Sequence, residues 1–245
     1  MPTFWRGVAS GFEEGVLDMA RIAGLSPEEG HRVRGRPTRI RDDLDIPVMI
    51  VNSESETLLQ AAVRQPDTER FRFWEVAGAS HFPRSLITPL ARFLRRDFGI
   101  DWPAAATPAC QSHVTWEAVL ESAMLQFAQW IDQGIAPAMI APIELTTPPL
   151  SIVRDQHGLA RGGVRLPDLE APIALNDGSA NGLNGIHEPF SPGKLASLYP
   201  SHQTYVQRVE QAALQASQLG VITPDEALRY VKAAMAANVP PDWSA

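Results

Sequence analysis

The stretch from Phe71 to Pro83 reads FRFWEVAGASHFP. Apolar and polar residues alternate through Val76, and three small residues, Gly78, Ala79 and Ser80, then lead into His81. An imidazole presented just after a strand can accept or donate a proton near neutral pH. Upstream, VNSESETL follows another strand-like run and carries two acids, Glu54 and Glu56. A carboxylate and a histidine on loops after successive strands are the parts of an acid–base relay. The carboxylate fixes the imidazole tautomer through one ring nitrogen and stabilises the imidazolium, leaving the other nitrogen to activate a nucleophile. Taken singly, His81 reads equally well as a surface or capping histidine, and Glu54 and Glu56 as solvated loop acids. What favours the relay is their order, acid then histidine, with about one helix between them.

The elements that would position this pair are legible as an α/β arrangement. Ile46 to Val51, IPVMIV, is a short continuous apolar run of the kind expected for a strand buried on both faces. A helical stretch from Leu58 to Arg64 separates it from a second strand, Phe71 to Ala77. Leu86 to Phe98 again reads as a helix, with Leu86, Leu90, Phe93 and Leu94 on one face. Strand, helix, strand, helix implies parallel pairing, with catalytic groups beyond the carboxyl ends of the strands. Small residues at such an end allow a tight turn and leave room beside the imidazole for a substrate.

Ahead of this core, Phe12 to Ala23 has helical spacing, and Ser26 and Glu29 fit a capping box. HRVRGRPTRIR then places five arginines, at 32, 34, 36, 39 and 41, in what reads as a solvated loop, since no glycine-rich turn or helix start accompanies them. Beyond it, DWPAAATPAC is a Pro/Ala-rich connection. Trp116 to Ile131 follows as an amphipathic helix whose Trp116, Val119, Leu120, Ala123, Met124, Phe127 and Ile131 form a core stripe, ended by Gly134. Ser151 to Leu175 reads as a β-excursion with turns at DQHG and ARGG. Two helices follow, Gln203 to Leu219 and Pro224 to Ala237, the second capped by Thr223. The expected organisation is residues 1–44 as N-terminal helix and arginine-rich loop, 45–100 as core segment with the acid and histidine, and 101–245 as a helical and β extension of the same domain.

Composition narrows the function. A net charge of −7 over 245 residues argues for solubility and against a nucleic-acid or membrane-surface binder. No apolar run approaches the roughly 18–20 residues of a membrane span, and the N-terminus lacks the apolar core of a signal peptide, so localisation stays open. One cysteine, Cys110, excludes an internal disulfide. The six histidines, His31, His81, His113, His157, His187 and His202, are scattered without an H-x-H or H-E-x-x-H pattern, which argues against a metal site. Neither a dinucleotide nor a Walker pattern occurs, and no cofactor is expected.

PVMIVNSESE, RQPD, FRFWEVAGASH, GGVRLP, EPF and LYPSHQTYV together resemble the alpha/beta hydrolase domain family across about residues 45–237. The resemblance implies the C-terminal part of an α/β-hydrolase fold, parallel strands with helices, plus a helical and β-excursion extension. It implies serine-hydrolase chemistry on a small-molecule carboxylic ester or related acyl substrate, with His81 as general base. Its acid is Glu56 if Ser53-Glu54-Ser55-Glu56 aligns with the family's strand-G-x-x-D pattern, and Glu54 otherwise. The family's G-x-S-x-G nucleophile elbow is missing from these 245 residues. GVASG around Ser10 has the wrong spacing, Ser80 adjoins His81, Ser179 follows it, and Cys110 lies in the Pro/Ala segment. The expectation is therefore the C-terminal portion of a hydrolase, a truncated gene product, a fragment or one subunit of a split enzyme, incomplete and inactive alone and needing an upstream partner chain for activity; the alternative is a non-catalytic interaction or binding module built on the same remnant. The apolar strand Ile46–Val51 further predicts self-association, capture of a partner strand, or cover from the first forty residues.

Overall fold

The computed structural model describes residues 39–41, 43–99, 101 and 111–241. The chain divides into two compact units, Met1–Arg41 and Asp42–Ala245. The expected helix Phe12–Ala23, the Ser26–Glu29 capping box, most of the arginine-rich loop and of the Pro/Ala connection, and the candidates Ser10 and Cys110 lie outside the described residues.

In the second unit, β1 (Val48–Ser53) and β2 (Phe71–Val76) pair in parallel, with Val48 opposite Phe71 and Ser53 opposite Val76. The strand begins two residues later than the apolar run suggests. Pro47 has no N–H to give the ladder, so the first bond is Val48 N–H to Arg70 O at 2.8 Å, and Ile46 is left exposed. β1 is also only half-buried, not buried on both faces; among the described residues it pairs with β2 alone.

The expected helix Leu58–Arg64 does not form. In its place, α1 (Glu54–Thr57) starts directly at the end of β1, and a 3₁₀ turn follows at Ala61–Val63. Ser53-x-x-Glu56 is a capping sequence, and it starts the helix on the acids themselves. The acid-bearing stretch is a helix, not a loop.

β2 interleaves Arg72 and Glu75 among apolar residues, yet all six are buried. Its polar members are fully engaged. Glu75 accepts from Arg64 Nη2 at 2.5 Å, from Thr57 Oγ1 at 3.2 Å and from Ile143 N–H at 2.9 Å. Arg72 donates Nε to Pro137 O at 2.6 Å and lies 5.1 Å from the centre of the Trp130 ring. Charges in such surroundings persist because hydrogen bonds replace the lost water. Val164 bridges β2 in parallel at its last residue: Val164 N–H donates to Glu75 O at 2.7 Å and Ala77 N–H to Val164 O at 3.0 Å. Gly163 permits this approach, since a Cβ there would stand 2.6 Å from Glu75 O.

Beyond His81, α2 spans Arg84–Phe98 and ends on left-handed Gly99; α3 spans Glu117–Gln133 and ends, as expected, on left-handed Gly134. The α3 stripe turns out narrower than its apolar spacing implies. Val119 and Ala123 are core, but Met124 is 66% and Ile131 59% exposed, while Trp130 is buried. Small residues, Ala118, Ser122 and Ala123, set the buried face, which lets the helix approach its neighbours closely.

The β-excursion holds the antiparallel pair β3 (Leu145–Thr146) and β4 (Ser151–Ile152). Its DQHG turn is organised by Asp155, whose Oδ1 accepts the N–H of His157 and Leu159. Three elements lie outside the sequence expectation: α4 (Pro167–Glu170), the antiparallel hairpin β5 (Ala174–Asp177) and β6 (Ile186–Pro189), and α5 (Pro192–Leu198). The closing helices α6 (His202–Gln218) and α7 (Pro224–Ala236) pack together, capped by Ser201 and Thr223. The core joins Trp74, Val76 and Ala79 to Val119, Leu159, Leu166, Leu169 and Ile222. Each large apolar side chain fully buried there contributes about 1.5–3 kcal/mol. Among the described residues no helix is long and apolar enough to cross a membrane, and no three His, Cys, Asp or Glu residues gather as metal ligands.

Candidate active site

β1 and β2 run side by side and in the same direction, so α1 and the His81 loop emerge together at their carboxyl ends. Glu56 is the third residue of α1. Its Oε2 accepts the Ser53 N–H at 3.0 Å and the Ser53 hydroxyl at 2.5 Å, the reach back to the helix start that a capping glutamate makes. Its Oε1 is hydrogen-bonded to Nδ1 of His81. An ionised carboxylate can only accept, so the proton sits on Nδ1, and Nε2 keeps its lone pair. Among the described residues no hydrogen bond occupies Nε2. The ring is half-exposed, at 51%, whereas Glu56 is 14% exposed. The edge of the ring meets Phe82 at 4.7 Å between centroids. A shielded acid thus holds a half-exposed histidine by one ring nitrogen.

The main chain of the histidine is anchored too. His81 N–H donates to Ser55 Oγ at 3.1 Å, and the same hydroxyl donates to Gly178 O at 2.6 Å. Ser55 therefore ties α1, the histidine loop and the loop after β5 into one knot.

The small residues before His81 have a different reason from the one their sequence suggests. Gly78 adopts a φ of 75°, and a Cβ there would stand 2.8 Å from Leu169. Ala79 and Ser80 are fully buried. Gly178 packs so closely on Ala79 O that neither can carry more bulk toward the other. These residues are small because Leu169 and Val114 crowd Gly78 and the loop after β5 packs against Ala79 and Ser80.

Glu54, the other candidate acid, is completely buried and turned away to separate partners. Its Oε2 accepts the Gly78 N–H at 2.5 Å, and its Oε1 accepts Arg154 Nη2 at 2.9 Å. Arg154 also donates to Asp177 Oδ1 at 2.7 Å and Ser179 Oγ at 3.0 Å. Burial pushes the Glu54 carboxyl up to about 7, with Arg154 opposing and Asp177 adding to the rise. Of the two acids, Glu56 meets the imidazole and Glu54 holds the turn in front of it.

Two nucleophile candidates fall among the described residues. Ser179 Oγ is committed to Asp177 Oδ1 at 2.8 Å. Ser80 Oγ is buried with no hydrogen-bond partner among the described residues, and the Ser80 side chain flanks Gly185. The residues that sequence reasoning overlooks are Ser55, Arg154 and Asp177. Arg154 and Asp177 sit far along the chain and carry no local signal. Ser55 lies within the acid motif, where its alternation with Glu54 and Glu56 was the only clue.

A family model described as an alpha/beta hydrolase domain matches residues 7–232. No curated protein and no solved structure matches the chain.

Proposed function

Given that the chain belongs to the alpha/beta hydrolase domain family, we propose that it carries the acid and base of a serine-hydrolase-type enzyme acting on a carboxylic ester or related acyl substrate. His81 is the general base and Glu56 its orienting acid. The observation that carries this reading is the Glu56 Oε1 to His81 Nδ1 contact with Nε2 left over for a hydroxyl. In that role Nε2 takes the proton of a nucleophilic hydroxyl as it attacks the acyl carbon. It then returns the proton to the leaving alcohol, while Glu56 stays ionised and steadies the imidazolium. Glu54 does not act on substrate; it holds Gly78 and hence the histidine turn.

The nucleophile lies outside these 245 residues in this reading, because no G-x-S-x-G elbow occurs among them. Residues 45–237 then correspond to the C-terminal part of the fold. The test is a fluorophosphonate probe, applied to the chain alone and to the chain co-expressed with the product of the reading frame immediately upstream. Labelling of the second polypeptide that disappears with His81→Ala supports the assignment. Labelling that ignores His81 overturns it and leaves a non-catalytic interaction module.

A further inference from the structure

Three residues after His81, Arg84 opens α2. Its Nη1 lies 3.2 Å from Nε2 of His113, and the His113 ring stacks on that of His187, with centroids 3.5 Å apart and planes 12° from parallel. The three side chains come from three separate segments: the start of α2, the irregular stretch before α3, and β6. Asn176 of β5 arranges them. Its Oδ1 takes the His113 backbone N–H at 3.2 Å and His187 Nδ1 at 2.9 Å. An amide oxygen only accepts, so His187 carries its proton on Nδ1 and presents a lone pair at Nε2. Arg84 likewise donates to His113 Nε2, which makes that nitrogen the acceptor.

This grouping is unusual for a chain with 28 acids against 21 lysines and arginines. The exposed Arg84 guanidinium has no carboxylate among its partners in the described residues and spends a bond on an imidazole. The nearby acids are engaged elsewhere. Glu117 accepts from Ser85 at 2.7 Å and from Thr115 at 2.5 Å, and Asp177 is held by Arg154. We propose that Arg84, His113 and His187 form a subsite for a carboxylate carried by the substrate, next to the His81 loop. The enzyme would then act on acyl compounds bearing a second, free acid group. This deepens the hydrolase reading for the substrate, while the binding itself stands without it.

The charge count favours a carboxylate over a phosphate dianion. The permanent cation of the cluster is Arg84, a single charge. Burial, His113 and Arg84 together push His187 down to about 4. A bound anion offsets the repulsion from Arg84 and His113 and favours protonation of His187, whose Nε2–H then becomes a donor. Binding takes up a proton, so affinity rises as pH falls toward the His187 value of about 4.

The experiment is a titration of the full chain with monomethyl succinate, an ester that keeps one free carboxylate, read by histidine ring ¹⁵N shifts. Saturable shifts at His113 and His187 that tighten at lower pH, and weaken at least tenfold in Arg84→Gln, support the subsite. Absence of saturable shifts, an unchanged response in Arg84→Gln, or tighter binding of inorganic phosphate overturns it. The His81 signals report the relay separately in the same spectra. Succinate binding without a hydrogen-bonded Nδ1 proton on His81 sinks the hydrolase reading and leaves the subsite standing.

Discussion

Glu54 and Arg154 are a hundred positions apart, yet the Glu54 carboxylate takes the arginine Nη2 at 2.9 Å inside the protein. The pair links the end of β1 to the DQHG turn, and through Asp177 to the loop over the histidine. Its protonation has a definite sign. An unfolded glutamate titrates near 4.3, and in the folded protein burial holds Glu54 protonated up to about 7. Between those values the native state binds the extra proton, so stability is greatest below the window and falls as pH rises through it. The urea midpoint of the native chain should therefore decline over this window. Glu54→Gln should flatten that decline. A midpoint profile identical in the two proteins would mean that Glu54 is ionised in the fold.

Glu56 should separate stability from catalysis. Glu56→Gln keeps an oxygen for the Ser53 N–H and should cost no more than about 1 kcal/mol of stability, the usual scale for a cap. In the reconstituted enzyme it should lower kcat by roughly 10²–10⁴, because the amide no longer fixes the imidazole or steadies its charge. Denaturant unfolding and ester turnover measured on the same preparation check both halves.

The chain by itself should hydrolyse activated esters no faster than background, and a serine-directed fluorophosphonate should leave it unlabelled. Stoichiometric labelling of Ser10 or Ser80 would instead establish an unusual nucleophile within these residues. Intact mass spectrometry followed by peptide mapping distinguishes the outcomes.

Ser55→Ala strands the His81 N–H in a part-buried position and also releases Gly178 O. An unsatisfied buried donor costs about 1–3 kcal/mol. The variant should lose stability on that scale, and amide exchange at His81 should accelerate more than at β2. Uniform acceleration across the strand would point to global destabilisation and no special hold on the loop.

How far the sequence reveals this arrangement depends on the range of each interaction. The strand, the small residues and His81 are readable because their pattern is local. So are the ends of α3 and α7, where Gly134 and Thr223 act on adjacent backbone. Even α1 has a local signature, since Ser53 and Glu56 stand at capping spacing, although the residues from Leu58 onward suggest a later start. The separate duties of Glu54 and Glu56 are a different matter. Two acids two residues apart look alike until Arg154 and Gly78 claim one of them and His81 the other. The β5–β6 hairpin escaped for a related reason. Ile186–Pro189, IHEP, has no strand-like alternation of its own and is extended by its pairing with β5. Met124 and Ile131 show the converse, apolar spacing with no partner face among the described residues to cover it.

The Glu75 carboxylate has a consequence for how this protein reaches its native state. Two of its partners, Thr57 and Arg64, come from the same βαβ stretch, but the third is the Ile143 amide, 68 residues further on. Until that distant segment arrives, β2 cannot dry out without leaving a charged group short of a donor. The parallel pair is therefore not an early, self-sufficient nucleus. Its consolidation waits on closure of a long loop, and loop closure of that kind slows the burial of non-local pairs. It also means that a piece cut after residue 100 would hold the whole acid–histidine motif and still lack the contact that lets its central strand be buried.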